Sequence, residues 1–305
     1  MPAFSSHYIF AKELTNELEK ISDCKVNKDA LFIGAQGPDI FFFARIFPWL
    51  IGRPMASLGS KMHRTKPSVI LENMRRYCEN SRDTDLALSY TYGFIMHYAL
   101  DSTCHPYVYS LQNKITGKNP FLNPHSVHNS IEFSMDNLLL NKRMGIENPH
   151  KYDISKTVST NPEITGEIGR LYTKILPDMY NIKVSEKQIA TAISDTKYVQ
   201  QVTLDKTGIK KAILTPFETA VAPITHNFKF TALIRPRDLE KSKKYGNIDN
   251  GLWVYPTADI KSNKSFEELF EQAKDFSLEI IRAFNCGSSM KEVTCDKSFL
   301  TGVET

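Results

Sequence analysis

Several common signatures are missing from this 305-residue chain, and each absence narrows the reading. No continuous apolar run approaches the ~18 residues of a membrane-spanning helix. The five cysteines (Cys24, Cys78, Cys104, Cys286, Cys295) are odd in number and scattered, so they form no disulfide framework, and without a Cys-x-x-Cys pair there is no thiolate zinc knuckle. The net charge of +4, from 38 basic and 34 acidic residues, is too small to imply a stable nucleic-acid partner. Neither glycine nor proline is in excess, and no repeat or low-complexity tract occurs. The start Met1-Pro2-Ala3-Phe4-Ser5-Ser6-His7 has no basic and apolar secretory pattern, so the expected location is cytoplasmic. Three catalytic signatures are absent as well: a Gly-x-Ser-x-Gly elbow, a Gly-x-x-x-x-Gly-Lys phosphate loop, and an adjacent His-Asp dipeptide.

Helical signals dominate what remains. Ser5 or Ser6 is read as the cap of a helix running to Lys20, and Lys66 to Asn80 alternates apolar and charged residues at helical period. Asp83 or Thr84 should cap a helix from Asp85 to about Cys104, ended by Pro106. That helix is apolar all round and belongs in the middle of the molecule. Asn123-Pro124 opens another through Leu140, and Ser185 to Gln188 and Ser265 to Glu268 are capping boxes. The last helix should stop near Asn285-Cys286-Gly287. The fold class is therefore all-α, as one domain over 1–305. A metal-site half would cover 1–145 and a helical half 160–290, with an irregular loop at 235–264.

The histidines carry the chemistry. His97, Asp101 and His105 follow one another at steps of four, and His128 and Glu132 repeat the step. Four residues advance a helix by ~400°, so such pairs point the same way. A single His-xxx-Asp pair is usually an intrahelical contact worth about 0.2–0.5 kcal/mol. Around His97 and Asp101, however, Phe94, Ile95, Met96 and Leu100 are apolar, and polar groups on a buried helix need partners. A metal would supply one. Imidazole nitrogens mixed with carboxylate oxygens suit Zn²⁺. His7 and His63 carry no local pattern, and His125 is the substitute for His128. Asp39 sits in the rigid turn Gly34-Ala35-Gln36-Gly37-Pro38-Asp39, where capping a helix is the competing role. The aromatic run Phe41 to Trp49 behind it reads as core packing, a pocket lining or a contact with a lipid interface.

The ordered set His7, Gly37-Pro38-Asp39, His63, His97-xxx-Asp101-xxx-His105 and His128-xxx-Glu132 resembles the bacterial zinc-dependent phospholipases C. It resembles most their relatives without a signal peptide, which share a Met-Pro-Ala-Phe-like start, Gln-Gly-Pro-Asp and Asp-Ser-Thr-Cys-His-Pro. The resemblance implies an all-helical bundle around two or three zinc ions. Asp39, His63, His97 and Asp101 would hold one ion and His105, His128 and Glu132 a second. Asp101 would bridge to a third near His7, and Asp39 would double as general base. In secreted members the third zinc is chelated by a terminal tryptophan; here, loss of Met1 would expose the amine of Pro2 for that part.

Three functions stay open on the sequence. The first is a zinc phosphodiesterase of phospholipase C type, in which metal-activated water attacks the head-group ester of a phospholipid, with peripheral membrane contact. The second is a nuclease or nucleotidase of the same fold, using basic stretches at Arg235 to Arg237, Lys206 to Lys211 and Lys241 to Lys244. The third is a metal-binding protein without catalysis.

Overall fold

The structure is a computed structural model that describes residues 3–47, 49–52, 54–223 and 226–304. The first part of the sequence forms α1 (Phe4–Ile21), α2 (Lys28–Gly34), α3 (Ile40–Phe43), α4 (Ala56–His63) and α5 (Pro67–Glu79). It continues with the long α6 (Thr84–Lys118) and α7 (Pro124–Met144). Beyond these lie α8 (Pro162–Tyr180), α9 (Glu186–Thr203), α10 (Ile209–Val221) and α11 (Leu239–Lys243). The chain closes with α12 (Phe266–Asn285) and α13 (Met290–Thr294). The fold is all-α; the strands among the described residues are the two-residue pair β1 (Trp253–Val254) and β2 (Lys261–Ser262).

Helix α6 is the axis of the molecule. From Leu86 to Val108 nearly every side chain is buried, and α1, α2, α5, α7, α8 and α12 all pack on it. A helix apolar on every side can only be stable when covered this way. Gly93 permits one of these contacts: a Cβ there would lie 2.2 Å from the carbonyl oxygen of Leu31, so α2 could not approach α6 so closely. One apolar core extends from Ile9 on α1 to Phe299 near the C-terminus.

Several local expectations are corrected. Pro106 does not end its helix; α6 runs twelve residues further, to Lys118. Proline forfeits one backbone hydrogen bond and crowds the preceding turn, at about 3 kcal/mol, and packing on all sides of α6 outweighs that cost. The freed Ser102 carbonyl lies against the C-terminal segment at Gly302. Helix α1 is not capped by Ser5 or Ser6, which fall inside its first turn after Ala3. Helix α12 stops at Asn285, just ahead of Gly287 as expected, but it is not the last helix, because α13 follows. The 235–264 stretch is not wholly irregular: it holds α11 and the β1–β2 hairpin, pinned by Trp253. The indole of Trp253 donates to the Lys264 carbonyl at 3.0 Å and packs on Tyr107 of α6. Elsewhere the start and stop signals act as expected, with Asn123 capping α7 and both capping boxes formed.

Candidate metal centre

Each site residue is placed by its own element. His7 lies on the first turn of α1, and Asp39 closes a 3₁₀ turn, Gly37–Asp39, that leads into α3. His63 is the last residue of α4; His97, Asp101 and His105 line one side of α6; His128 and Glu132 do the same on α7. Asp39 makes no side-chain cap on α3, so its carboxylate is left for the site. The structure brings all eight into one buried cluster. His63, His97 and Asp101 offer donor atoms within 4.8 Å of one another, as do His7, Asp39 and His97, and His105, His128 and Glu132.

Asp101 is the hub. Its Oδ2 lies 3.1 Å from His97 Nε2 and 3.6 Å from His63 Nε2, and its Oδ1 lies 3.4 Å from His7 Nε2. His63 Nε2 is also 3.2 Å from Asp39 Oδ1, and His128 Nε2 is 2.8 Å from Glu132 Oε1. The His7 and His97 rings stack at 4.2 Å. Gly37 permits that stack in two ways. Its φ of +54° suits glycine, and a Cβ there would stand 2.4 Å from the His97 ring. The most accessible of the eight side chains is His128, 13 % exposed beside Tyr109, so the cluster opens to solvent there.

The outer partners fix which ring nitrogen faces inward. His63 Nδ1 donates to the Gly59 carbonyl at 2.8 Å, His97 Nδ1 to Ala35 at 3.1 Å and His105 Nδ1 to Phe299 at 2.6 Å. His128 Nδ1 is 2.8 Å from the amide oxygen of Gln112. With Nδ1–H tied outward, Nε2 presents a lone pair to the cluster, which is how protein ligands are held for a metal.

Electrostatics point the same way. Burial keeps His7, His105 and His128 below the ordinary imidazole value, hence as neutral donors. Burial pushes the Glu132 carboxyl up to about 7. Burial alone would also raise Asp101, yet the surrounding histidines, His97 foremost, hold it well below the carboxylate range. For His63, burial acts downward, but Asp101 and Asp39 carry it to about 9. Asp39 and Asp101 thus draw positive charge to the His63 end of the cluster.

A metal would also answer the hydrogen-bond accounting. Both ring nitrogens of His7, Oδ1 of Asp39, Nε2 of His63, His97 and His105, and both oxygens of Asp101 are buried without a hydrogen-bond partner among the described residues. Orphaned polar atoms are costly in a protein interior, and a cation bound among them would satisfy them together. The mixture of nitrogen and carboxylate oxygen suits zinc.

Other expectations are placed as follows. His125 is exposed and stands outside the donor sets. Phe41 and Phe47 are core residues, whereas Trp49 at the end of the aromatic run is exposed. The basic stretches are partly structural: buried Arg235 donates to the carbonyls of Pro149 and Tyr152, and Lys243 pairs with Glu240. The exchange expected at Met1 and Pro2 falls outside the described residues. Sequence reasoning also missed Asp136, which accepts hydrogen bonds from Ser5 N at 2.9 Å and from Ser6 N and Ser6 Oγ at 2.8 and 2.7 Å. A buried carboxylate on α7 thus grips the helix end that presents His7. A signal existed, since Asp136 extends the His128, Glu132 spacing by one more step of four. The Phe299 carbonyl had none.

Fold and cluster together define an all-helical protein built around a metal-type donor set. The family model for zinc-dependent phospholipase C matches residues 6–182, more than half of the sequence and all eight donors, and the chain belongs to that family. A search of curated proteins gave no match to this chain, nor did a search of solved structures.

Proposed function

We propose that the protein is a zinc-dependent phosphodiesterase of phospholipase C type that releases a phosphorylated head group from a phospholipid. The observation that carries this reading is the meeting of His7, Asp39, His63, His97, Asp101, His105, His128 and Glu132 at one place, with the inward atoms of His7, Asp39, His63, His97, Asp101 and His105 buried without hydrogen-bond partners among the described residues. Two or three ions would be held: by His63, His97 and Asp101 with Asp39, by His105, His128 and Glu132, and by His7 beside Asp39 and Asp101. When bound, they would lower the pKa of a water and offset charge on the phosphate oxygens.

The chain's own residues supply the rest. Asp39, in its rigid turn, is the general base that takes the proton from the attacking water. The outward hydrogen bonds of His63, His97, His105 and His128 keep the donors from turning away between turnovers. The near-complete burial of His97 and Asp101 keeps bulk water off the donors. The phosphate reaches them from the His128 and Tyr109 side, where the cluster meets solvent.

The test is metal analysis of the purified protein, followed by assays on phosphocholine esters, single-stranded DNA and nucleotides with and without chelator. Chelator-sensitive hydrolysis of the phosphocholine esters is expected. Preferential cleavage of DNA or nucleotides would move the assignment to a nuclease. Inertness of the zinc-loaded protein toward every ester would refute catalysis.

A further inference from the structure

Helix α10 turns its apolar side chains outward. Ile209, Ile213 and Phe217 follow at steps of four and are 59 %, 68 % and 64 % exposed. The one buried residue of this helix is a charged one, Glu218, which accepts from Thr231 N and Thr231 Oγ at 2.6 Å each. This inverts the usual arrangement, in which a surface helix buries its apolar stripe.

The exposed charges from residue 206 to residue 237 are basic, and the first exposed acid after them is Asp238. Between residues 206 and 237, Lys206, Lys210, Lys229 and Arg237 are exposed. The acids nearest the stripe, Asp205 and Glu218, are buried and occupied by hydrogen bonds: Asp205 accepts from Gly208 N and Lys211 N. Among the described residues from 206 to 237 no exposed acid offsets the cations. An apolar stripe with Lys206 and Lys210 at its start complements an anionic lipid surface, in which such a helix lies about 5–10 Å deep. It does so without crossing, as no helix among the described residues is long and apolar enough to span a membrane.

The surface is fastened to the mouth of the cluster. Downstream of α10, Lys229 N donates to Ser126 Oγ on the first turn of α7, two residues before His128. Asn123, the cap of α7, donates to the His226 carbonyl. On the other side, Phe230 meets Phe47, on which the exposed Trp49 stacks at 4.7 Å.

We infer that the outer face of α10, together with Trp49, docks onto anionic bilayers and presents the His128 opening to lipid head groups. This rests on the lipid reading above for its purpose, but binding is measured without turnover. The experiment is co-sedimentation with vesicles of phosphatidylglycerol and phosphatidylcholine in equal parts, and of phosphatidylcholine alone. It compares the wild type with Ile213→Asp/Phe217→Asp and with Lys206→Glu/Lys210→Glu. The wild type should sediment with anionic vesicles and release as salt rises. The aspartate pair should lose roughly tenfold or more of that binding, with an unchanged melting temperature. The glutamate pair should weaken binding to anionic vesicles selectively. Hydrolysis of vesicle lipid should fall with binding, while hydrolysis of a water-soluble phosphocholine ester is unaltered. The inference is overturned if the wild type ignores anionic vesicles at low salt, or if the aspartate pair binds as well as it does. A wild-type dimer that the aspartate pair converts to monomer would equally overturn it, by showing that a second copy covers the face. Vesicle binding by a protein inert toward every phosphodiester would support this surface and overturn the reaction proposed above.

Discussion

Replacing Asp101 with asparagine removes the hub of the cluster while keeping its shape. The carboxylate lies within 3.1 to 3.6 Å of three imidazole nitrogens, and both of its oxygens lack hydrogen-bond partners. An amide offers one neutral oxygen and turns an N–H toward the donors, so it is a poor ligand with a misdirected hydrogen. Altering residues that only orient ligands already lowers metal affinity about 10–100-fold, so losing a direct ligand should cost about 100-fold or more. At about 1.4 kcal/mol per tenfold, that is about 3 kcal/mol of zinc-linked stability when the metal is in excess. For a chain of this size it corresponds to about 5 °C or slightly more in melting temperature. The assay pairs metal analysis after desalting with melting curves in zinc and in chelator. Zinc content should fall, hydrolysis should be lost, and the deficit in melting temperature should appear chiefly in zinc. If Asp101→Asn retains full zinc and full turnover, the cluster does not hold metal through this residue. If the deficit is the same with chelator as without, Asp101 serves folding alone.

Asp136→Asn should loosen the first turn of α1, because the charged acceptor of three hydrogen bonds is lost there. A fall of about 2 kcal/mol in stability is expected, with a lower zinc content through His7, measured by denaturant melts and metal analysis. Gly37→Ala should push the His97 ring out of place and lower activity more than stability; unchanged kinetics would contradict the 2.4 Å approach. Glu167 accepts from Tyr77, Ser81 and Arg170, and although burial would raise its carboxyl, these donors hold it below its usual value. Its contribution is present above the unfolded pKa near 4.5 and is lost as pH falls through the lower folded value. The gap between wild type and Glu167→Gln, about 2 kcal/mol at pH 6, should therefore close in acid unfolding curves below about pH 4. His125→Ala and His226→Ala, both exposed, should leave zinc content and turnover unchanged in the same assays.

How much of this was legible in the sequence depended on whether the information was local. Helical spacing is local, so the pairs on α6 and α7 were readable and their placement on one side of each helix followed. Caps are local too, and Asn123, Ser185 and Ser265 act as their residue types suggest. Pro106 misled because its cost is local while what offsets it, the packing of six helices around α6, comes from distant parts of the chain. His7 and His63 carried no spacing signal and were legible only as members of an ordered set. Least legible were the groups that aim the donors. The carbonyls of Gly59, Ala35 and Phe299 orient three histidines, but every residue has a carbonyl, so no residue type marks the positions that matter. Phe299 is the extreme case, since it lies 194 residues from the histidine it orients and beyond the stretch that the family match covers. The C-terminal segment that delivers it is anchored by Tyr98, whose hydroxyl donates to the Lys297 carbonyl, and by the burial of the Phe299 ring against His63 and Tyr98. The aim of the donors on α6 is thus tied to chain that a motif reading stops short of, because a hydrogen bond to backbone depends on where the chain passes and not on which side chain it carries.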